Sequence, residues 1–257
     1  MQRKTVRLLD VTIDNVNHTE AIHLAESFLR EPRLHHIVTP GPEFLLEASA
    51  HERFRRILND ADLSLADGFG LHIGARMTGQ KLIQRIPGAD FVLDLMRIAE
   101  QQRHSVFLLG AKHGVADRAA QELLKRFPEL NIVGIESGGR GEWTKLEERR
   151  LIERIHLAQP AILLVALGAP KQELWIDQHR HALHDVRIAM GVGRTFDYLA
   201  GTITRAPKLM RSTGLEWLHT YLNAGKYYQP GQRRQRITNA TYRFIIEMIQ
   251  HRRAPRL

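Results

Sequence analysis

The chain has 257 residues, which suits one large α/β domain or two small ones, and its 43% apolar fraction is ordinary for a globular protein. The absence of cysteine excludes disulfides and thiolate chemistry and removes the commonest ligands of zinc. The formal net charge of +9 lies in the last fifth, because residues 1–200 are balanced and residues 201–257 carry 11 basic residues against two acidic ones.

The first third of the chain predicts strands and helices in alternation. Short apolar runs predict an edge strand or short hairpin over residues 6–13 and strands over residues 35–39 and 62–67. Apolar residues at helical spacing predict helices over residues 19–29 and 43–58. The strand over residues 62–67 matters most for function, because it ends on an acidic residue.

That residue is Asp67, which follows a short apolar strand and precedes two glycines, Gly68 and Gly70. In open α/β sheets, ligands bind just beyond the carboxyl ends of the strands. A carboxylate placed there can accept a proton from a bound hydroxyl group. The alternative is an Asp-Gly turn in which the aspartate serves turn formation alone, and the stretch by itself leaves both open.

The middle of the chain repeats a unit of strand, glycine turn and helix. Residues 72–90 hold little clear pattern. Strands are predicted over residues 105–109, 131–136, 161–167 and 186–190. Helices are predicted over residues 90–101, 115–127 and 144–158, and a further helix that includes residues 174–176 follows residue 173. Such repetition predicts a mostly parallel sheet with helices on both faces. The charge shift predicts a core over residues 1–201 and a basic helical appendage over residues 202–257.

Polar and glycine residues gather at the predicted strand ends. They are Thr39, Asp67, Gly110, Gly168, Lys171, Gln172, Gly191 and Gly193. In a parallel sheet these ends lie along one edge, and Arg85 is close enough in sequence to join them. Glycine turns let backbone N–H groups approach phosphate, and Arg or Lys neutralises it, so the set suits a nucleotide diphosphate with a single base. The glycine runs also fit ordinary loops, and that alternative stays open.

Several cofactor and catalytic motifs are absent from the sequence. There is no G-x-G-x-x-G fingerprint, Walker P-loop, G-x-S-x-G elbow or H-E-x-x-H pair, and no D-x-D at a strand end. We therefore expect no cofactor and no metal, and we interpret His35 and His36 as surface or edge-strand residues. A nicotinamide oxidoreductase would need the missing fingerprint. A nucleic-acid-binding protein would use the basic tail on phosphates, but that tail has few aromatic residues for stacking.

Several blocks in a fixed order are more specific together than any one of them. They are TPGPE from Thr39, ADGFG from Ala66, RIPG from Arg85, FLLG from Phe107, GAPKQE from Gly168, GVG from Gly191, FDYLAG from Phe196, RAP from Arg205 and EWL from Glu216. This set, within residues 8–222, resembles the WecG/TagA/CpsF glycosyltransferases.

The resemblance implies a Rossmann-like fold and an inverting sugar transfer from a UDP-sugar. The usual donor in that family is UDP-N-acetylmannosamine or its uronic acid. The acceptor is a polyprenyl-diphosphate-linked sugar, used in cell-surface polysaccharide or teichoic acid synthesis. The resemblance further implies a cytoplasmic enzyme held peripherally on the inner face of a bacterial cell membrane. It leaves open a homo-oligomer, and UDP-glucose or another UDP-hexose as the donor.

The resemblance also assigns roles to residues of this chain. Asp67 matches the proposed general base, and Thr39, Arg85 and Gln172 match positions that bind substrate and diphosphate. Arg205 and Arg211 could reach the donor diphosphate once the appendage docks. Two positions depart from the family pattern and bear on donor choice. Gly41 stands where Asn is common, and Arg194 stands where Gly or Ala is usual.

The tail predicts an amphipathic helix over residues 236–252, with Phe244, Ile245, Met248 and Ile249 toward one side and arginines around it. Such a helix can lie in a bilayer interface, with its apolar side down and its arginines on anionic headgroups. The partner expected for the tail is therefore an anionic membrane surface and not nucleic acid. The alternative is a helix that docks on the core of its own domain.

Overall fold

The computed structural model describes residues 4–137, 143–207, 209–210, 219 and 242–251. The strands are β1 Thr5–Leu8, β2 Val11–Asp14, β3 His35–Val38, β4 Leu63–Ser64, β5 Ser105–Gly110, β6 Asn131–Glu136, β7 Ile162–Ala166 and β8 Ile188–Gly191. The helices are α1 His18–Arg30, α2 Pro42–Ala50, α3 Glu52–Asn59, α4 Phe69–Met77, α5 Gly88–Gln101, α6 Val115–Arg126, α7 Lys145–Ala158, α8 Lys171–His179 and α9 Thr195–Leu199. A further helix, here called the C-terminal helix, spans residues 242–251.

Six strands form one parallel sheet in the order β4-β3-β8-β7-β5-β6, and β1 pairs with β2 in a separate antiparallel hairpin. The central strand β7 has the sequence ILLVA and is buried at every position. Continuous apolar strands of this kind are expected where helices cover both faces of a sheet. The predicted α/β fold, a parallel sheet with helices on both faces and a helical C-terminus, is confirmed.

Alternate residues of each strand feed two separate cores. Along β5, Val106 and Leu108 pack on the face covered by α1, α5, α6 and α9. Phe107 and Leu109 pack on the opposite face, with α7 and α8. The connection from β5 to β6 therefore runs over one face and that from β7 to β8 over the other. In open α/β sheets, ligands bind at the carboxyl ends of the strands where the connections diverge in this way.

A third core lies beside β3 and β4 and includes the hairpin, α2, α3, α4 and the C-terminal helix. Phe244 and Met248 of that helix are buried there. A side chain on Gly74 of α4 would meet the Phe244 ring at 2.8 Å, so the glycine allows the close approach. Two residues of the apolar side predicted to lie in a bilayer, Phe244 and Met248, therefore pack on the core instead, whereas Ile249 is 38% exposed.

The rest of the predicted tail helix, residues 236–241 and 252, lies outside the described residues. Within the described part of the chain, no helix is long and apolar enough to cross a membrane. The division into a core and an appendage at residue 201 stays a prediction. The packing of Phe244 and Met248 means that the appendage contributes side chains to the third core.

The helix predicted over residues 43–58 is two helices, α2 and α3, separated at His51. His51 is extended, with φ −129° and ψ 100°, so the chain turns between them. The turn directs the end of α3 onto the hairpin. There the Asn59 amide accepts from Thr12 N–H at 2.8 Å and donates to the Asp10 carbonyl at 2.9 Å. The apolar residues are spaced as in one helix across His51, but tertiary hydrogen bonds favour two helices.

One stretch was left without a prediction, and one further prediction was wrong. Residues 72–90, which showed little pattern, contain most of α4, whose glycines hide a helical repeat carried by the buried Leu71 and Ala75. His35 and His36 are not surface or edge-strand residues, because both are buried in β3, the second strand of the sheet. Burial lowers the pKa of His36 to about 3, and the nearby Arg180 charge adds to that effect, so His36 stays neutral.

Candidate active site

The predicted site residues follow the carboxyl ends of five neighbouring strands. In sheet order they are Asp67 after β4, Thr39 after β3, Gly193 after β8, Gly168 after β7 and Gly110 at the end of β5. Four steps between strands at about 4.8 Å each make this edge roughly 19 Å long. An edge of that length suits an elongated ligand better than a single small group.

Asp67 is held in place by two backbone contacts. Its own N–H donates to the Pro40 carbonyl at 3.0 Å, which ties the loop after β4 to the loop after β3. Its carboxylate accepts from Gly88 N–H, the first residue of α5, at 3.1 Å. The positive end of a helix favours a negative charge at this position. The side chain remains 37% exposed, so the carboxylate can still meet a ligand.

Arg85 and Thr39 lie beside this carboxylate. The Arg85 Nε lies 4.0 Å from Asp67 Oδ1, and the arginine side chain is mostly buried. A β-carbon on Gly88 would lie 2.8 Å from the Thr39 hydroxyl oxygen. The structure therefore brings together a carboxylate, a guanidinium and a hydroxyl around the start of α5. We call Thr39, Asp67, Arg85 and Gly88 the acid cluster.

His72 belongs to the surroundings of the acid cluster and was missed by sequence reasoning. It lies on α4, and its Nε2 is buried without a hydrogen-bond partner among the described residues. Burial lowers the pKa of His72, and the positive charges of Arg76 and Arg85 lower it further. The imidazole is therefore neutral at pH 7 and adds no charge to the site. No local motif marks it, since it falls in the stretch without a clear pattern.

Arg194 supplies a further cation at this edge. It follows the Gly-x-Gly turn after β8, and burial lowers its pKa from the usual value. Tyr198, Glu43 and Asp197 act in the opposite direction, so the guanidinium stays charged between the starts of α2 and α9. The sequence signal was a basic residue directly after a strand-end glycine turn, although it was noted only as a departure from the family pattern.

Gln172 occupies a different environment on the same edge. It is 2% exposed, at the second residue of α8. Its Oε1 accepts from Gly168 N–H and from Gly193 N–H, each at 3.1 Å. One backbone N–H group in each of the glycine loops after β7 and β8 therefore donates to a protein amide and not to a phosphate. A direct substrate contact by Gln172 stays a prediction, and the observed contacts make it a brace between two loops.

Glu173 was also missed by sequence reasoning. It is 1% exposed, and its Oε1 accepts from Gln172 Nε2 at 2.7 Å. Burial raises its pKa to about 7, against the opposing effects of the Gln172 hydrogen bond and the backbone N–H of Glu173 itself. The sequence gives no warning of this burial, because an acidic residue in the first turn of a helix is ordinarily exposed.

Gly110 and Lys171 complete the central part of the edge. Gly110 has φ 98°, and a β-carbon there would lie 2.7 Å from the Ala166 carbonyl oxygen. Only glycine fits this close approach of the β5 end to the β7 end. Lys171 is exposed at the first residue of α8, where a helix start favours anions. Their roles in binding a substrate stay predictions.

Arg205 lies beside the acid cluster but is engaged with a carboxylate. Its two terminal nitrogens donate to both oxygens of Asp90, in the first turn of α5, at 2.5 and 3.0 Å. Its guanidinium also lies 5.9 Å from the centre of the Tyr198 ring. A diphosphate contact by Arg205 stays a prediction. It would require Arg205 to contact the diphosphate and Asp90 together. Arg211 lies outside the described residues.

One group of metal-ligating side chains occurs among the described residues, formed by His156, His184 and Asp185. His156 Nδ1 lies 2.7 Å from Asp185 Oδ2, so an ion pair accounts for part of this proximity. These residues precede β7 and β8 and lie at the amino ends of the strands. They are therefore on the opposite edge of the sheet from Asp67. The expectation of metal-independent chemistry stays a prediction.

Comparison with known proteins gives a match along nearly the whole chain. The family model described as "Glycosyl transferase WecG/TagA/CpsF family" matches residues 6–256. A protein of Bacillus spizizenii (strain ATCC 23059 / NRRL B-14472 / W23) is 30% identical over 254 residues, which cover 99% of this chain and 93% of that protein. A protein of Staphylococcus aureus (strain MRSA252) is 30% identical over 219 residues, 84% of each chain. Both relatives are named N-acetylglucosaminyldiphosphoundecaprenol N-acetyl-beta-D-mannosaminyltransferase.

Proposed function

The chain belongs to the WecG/TagA/CpsF glycosyltransferase family, and on that premise we propose that it moves N-acetylmannosamine, or its uronic acid, from a UDP-sugar to a polyprenyl-diphosphate-linked sugar. The names of the two relatives describe a mannosaminyl transfer to an N-acetylglucosaminyl diphosphoundecaprenol. The observation that carries the proposal is the position of Asp67. It is a partly exposed carboxylate at the carboxyl edge of a parallel sheet, beside a guanidinium and a helix start.

In the proposed reaction the acceptor hydroxyl oxygen attacks the anomeric carbon of the donor sugar. Asp67 takes the proton from that hydroxyl as the new carbon–oxygen bond forms. The bond from the anomeric carbon to the diphosphate oxygen breaks at the same time, and UDP leaves with the electron pair. One displacement of this kind inverts the anomeric configuration. A positioned general base contributes typically 10²–10⁴ in rate.

Charge on the leaving UDP is neutralised by protein groups in this proposal. Arg85 lies close to Asp67, and Lys171 stands at the start of α8 further along the edge. Arg194 contributes a third cation from the loop after β8. Preorganised donors and charges aimed at the developing negative charge are usually the largest single source of catalysis. We expect transfer to persist in excess EDTA, and a loss that Mg²⁺ or Mn²⁺ restores would contradict this.

A lipid-linked acceptor requires the enzyme to work at a membrane surface, and we propose a peripheral position on the cytoplasmic face. The net charge of +9 in residues 201–257 supports attraction to anionic lipid. Each basic residue near such a surface adds about 1 kcal/mol, and salt weakens it. The full chain should sediment with anionic liposomes at low salt and be released as salt rises. Tight RNA binding without liposome binding would favour a nucleic-acid partner for the tail.

The direct test is a transfer assay with the purified full chain and a synthetic polyprenyl-diphosphate-linked N-acetylglucosamine. UDP-N-acetylmannosamine, its uronic acid and UDP-glucose are supplied separately, and the lipid product is weighed by mass spectrometry. We expect the product mass to increase by one N-acetylmannosamine or its uronic acid. A product with UDP-glucose alone would support the exopolysaccharide alternative, and no product with any UDP-sugar would contradict the proposal.

A further inference from the structure

Beneath the last residue of β8, the side chains of Gln172 and Glu173 form a buried pair. Gln172 Nε2 donates to Glu173 Oε1 at 2.7 Å. The other end of the same amide accepts the two backbone N–H groups of Gly168 and Gly193. A single amide therefore connects Glu173 to both loops that follow β7 and β8.

The carboxyl group of Glu173 favours the same orientation of this amide as the two loop N–H groups. A side-chain amide has one accepting end and one donating end. If the Gln172 amide were turned by 180°, its NH₂ group would face two N–H donors and its oxygen would face a carboxyl oxygen. All three hydrogen bonds would be lost in a buried place, where an unmade bond is costly. The acceptor at Glu173 Oε1 thus stabilises the orientation that binds both loops.

The backbone of β8 lies directly against this pair. A β-carbon on Gly191 would lie 2.5 Å from Gln172 Nε2 and 2.5 Å from Glu173 Oε1. The absence of a side chain at Gly191 therefore lets the strand pack directly on the contact between the two side chains. The pair therefore lies between β8 and α8, the helix that carries both residues.

We propose that Glu173 is a positioning residue for the donor, whose carboxyl oxygen holds the Gln172 amide and, through it, the loops at Gly168 and Gly193 in the arrangement that receives a nucleotide diphosphate. The inference rests on the proposed function, because it assigns the diphosphate to this part of the edge. Glu173 acts here through Gln172 and does not touch the donor. Its Oε2 is buried without a hydrogen-bond partner among the described residues, so Oε1 is the oxygen that makes the contact with Gln172.

Two substitutions of Glu173 in the full chain test its hydrogen-bond acceptor and its ionisable group separately. Glu173→Gln keeps a carbonyl acceptor and removes the ionisable group, whereas Glu173→Leu keeps the approximate volume and removes the acceptor. The measured quantity is the dissociation constant of UDP by calorimetry. We expect Glu173→Leu to weaken UDP binding about tenfold, as for a lost buried hydrogen bond, and Glu173→Gln to stay within about threefold of the natural chain.

Kinetics give a second readout. If Glu173 positions the donor loops, Glu173→Leu should raise the KM for the UDP-sugar and change kcat much less. Equal UDP affinity in the natural chain and in Glu173→Leu would overturn the inference, and so would an equal loss in Glu173→Gln and Glu173→Leu. Failure of the natural chain to bind UDP would instead count against the proposed function, so the two failures are distinguishable.

A charge exchange tests the same contact through stability, in case Glu173→Leu does not fold. Gln172→Glu alone places two carboxyl groups against each other. The double change Gln172→Glu with Glu173→Gln restores one donor and one acceptor between the two positions. We expect the single change to lower the melting temperature and the double change to recover most of the loss. A double variant no more stable than the single one would overturn the inference.

Discussion

Two carboxyl groups stand at the same edge of the sheet in opposite environments. Asp67 is partly exposed and accepts a hydrogen bond from Gly88 N–H, at the start of α5. Glu173 is fully buried, and burial raises its pKa to about 7. The comparison teaches that burial and hydrogen bonding divide one row of strand ends into a part suited to proton transfer and a part suited to holding loops.

The largest effect should follow the loss of the proposed base. Asp67→Asn keeps the size of the side chain but cannot accept the proton from the acceptor hydroxyl. We expect kcat for sugar transfer to fall by about 10²–10⁴ while UDP affinity is retained. Asp117→Asn, at an exposed position in the first turn of α6, is the control and should leave kcat unchanged. Unchanged turnover in Asp67→Asn would reduce Asp67 to a turn residue.

The second effect concerns the buried carboxyl and depends on pH. The pKa of Glu173 is raised from 4.5 to about 7 on folding, so the folded chain binds more protons than the unfolded chain between these values. Its contribution to stability therefore falls as pH rises through this window and is lowest above pH 7. The full shift corresponds to an upper limit of about 3 kcal/mol.

Glu173→Gln should remove this dependence, because its side chain does not titrate. The free energy of unfolding of the variant, relative to that of the natural chain, should be higher at pH 8 than at pH 5. Glu122→Gln, on the exposed side of α6, should show little of this difference. A relative stability of Glu173→Gln that is the same at both pH values would show that Glu173 is not protonated on folding.

The third effect tests the tight packing over Glu173. Gly191→Ala places a methyl group 2.5 Å from both side chains of the buried pair, and we expect a loss of about 1–3 kcal/mol in the free energy of unfolding. Gly41→Ala is a matched control, because nothing lies within 4 Å of a β-carbon there and its φ is −115°. Equal melting temperatures for the two variants would show that β8 does not press on the pair.

The smallest effect concerns donor choice near the acid cluster. Gly41, which precedes α2, has open space where the family commonly carries Asn. Gly41→Asn should therefore fold normally and change the KM for the UDP-sugar by a few-fold, since one neutral hydrogen bond contributes about 1 kcal/mol. We expect the change to differ between UDP-N-acetylmannosamine and UDP-glucose. Identical KM values for both donors in the natural chain and the variant would remove Gly41 from donor selection.

Much of the fold and one part of the site were predictable from the sequence because their signals are local. Apolar runs ending in glycine or carboxylate marked the strands, and parallel strands bring their ends to one edge. The positions of Asp67 and Thr39 at this edge were predicted in this way, and the structure places both there. Arg85 was added because it is near in sequence, and the structure places it beside Asp67.

The rest could not be predicted because it depends on contacts between distant segments. Glu173 is buried by β8, and nothing in the residues around it reports that Gly191 will lie against it. The apolar side of the C-terminal helix was predicted to lie in a bilayer interface, because the sequence does not show that Gly74 leaves room for Phe244. A hydrophobic face predicts burial, but it does not state what covers the face.

The division of the edge into a catalytic part and a positioning part is tested most directly by measuring turnover and UDP affinity together on two variants. Asp67→Asn should lose turnover and keep UDP affinity. Glu173→Leu should lose UDP affinity, while its turnover at saturating donor stays within a few-fold of that of the natural chain. If both variants lose turnover and affinity in the same proportion, the two carboxyl groups do not have separate roles and the account is wrong.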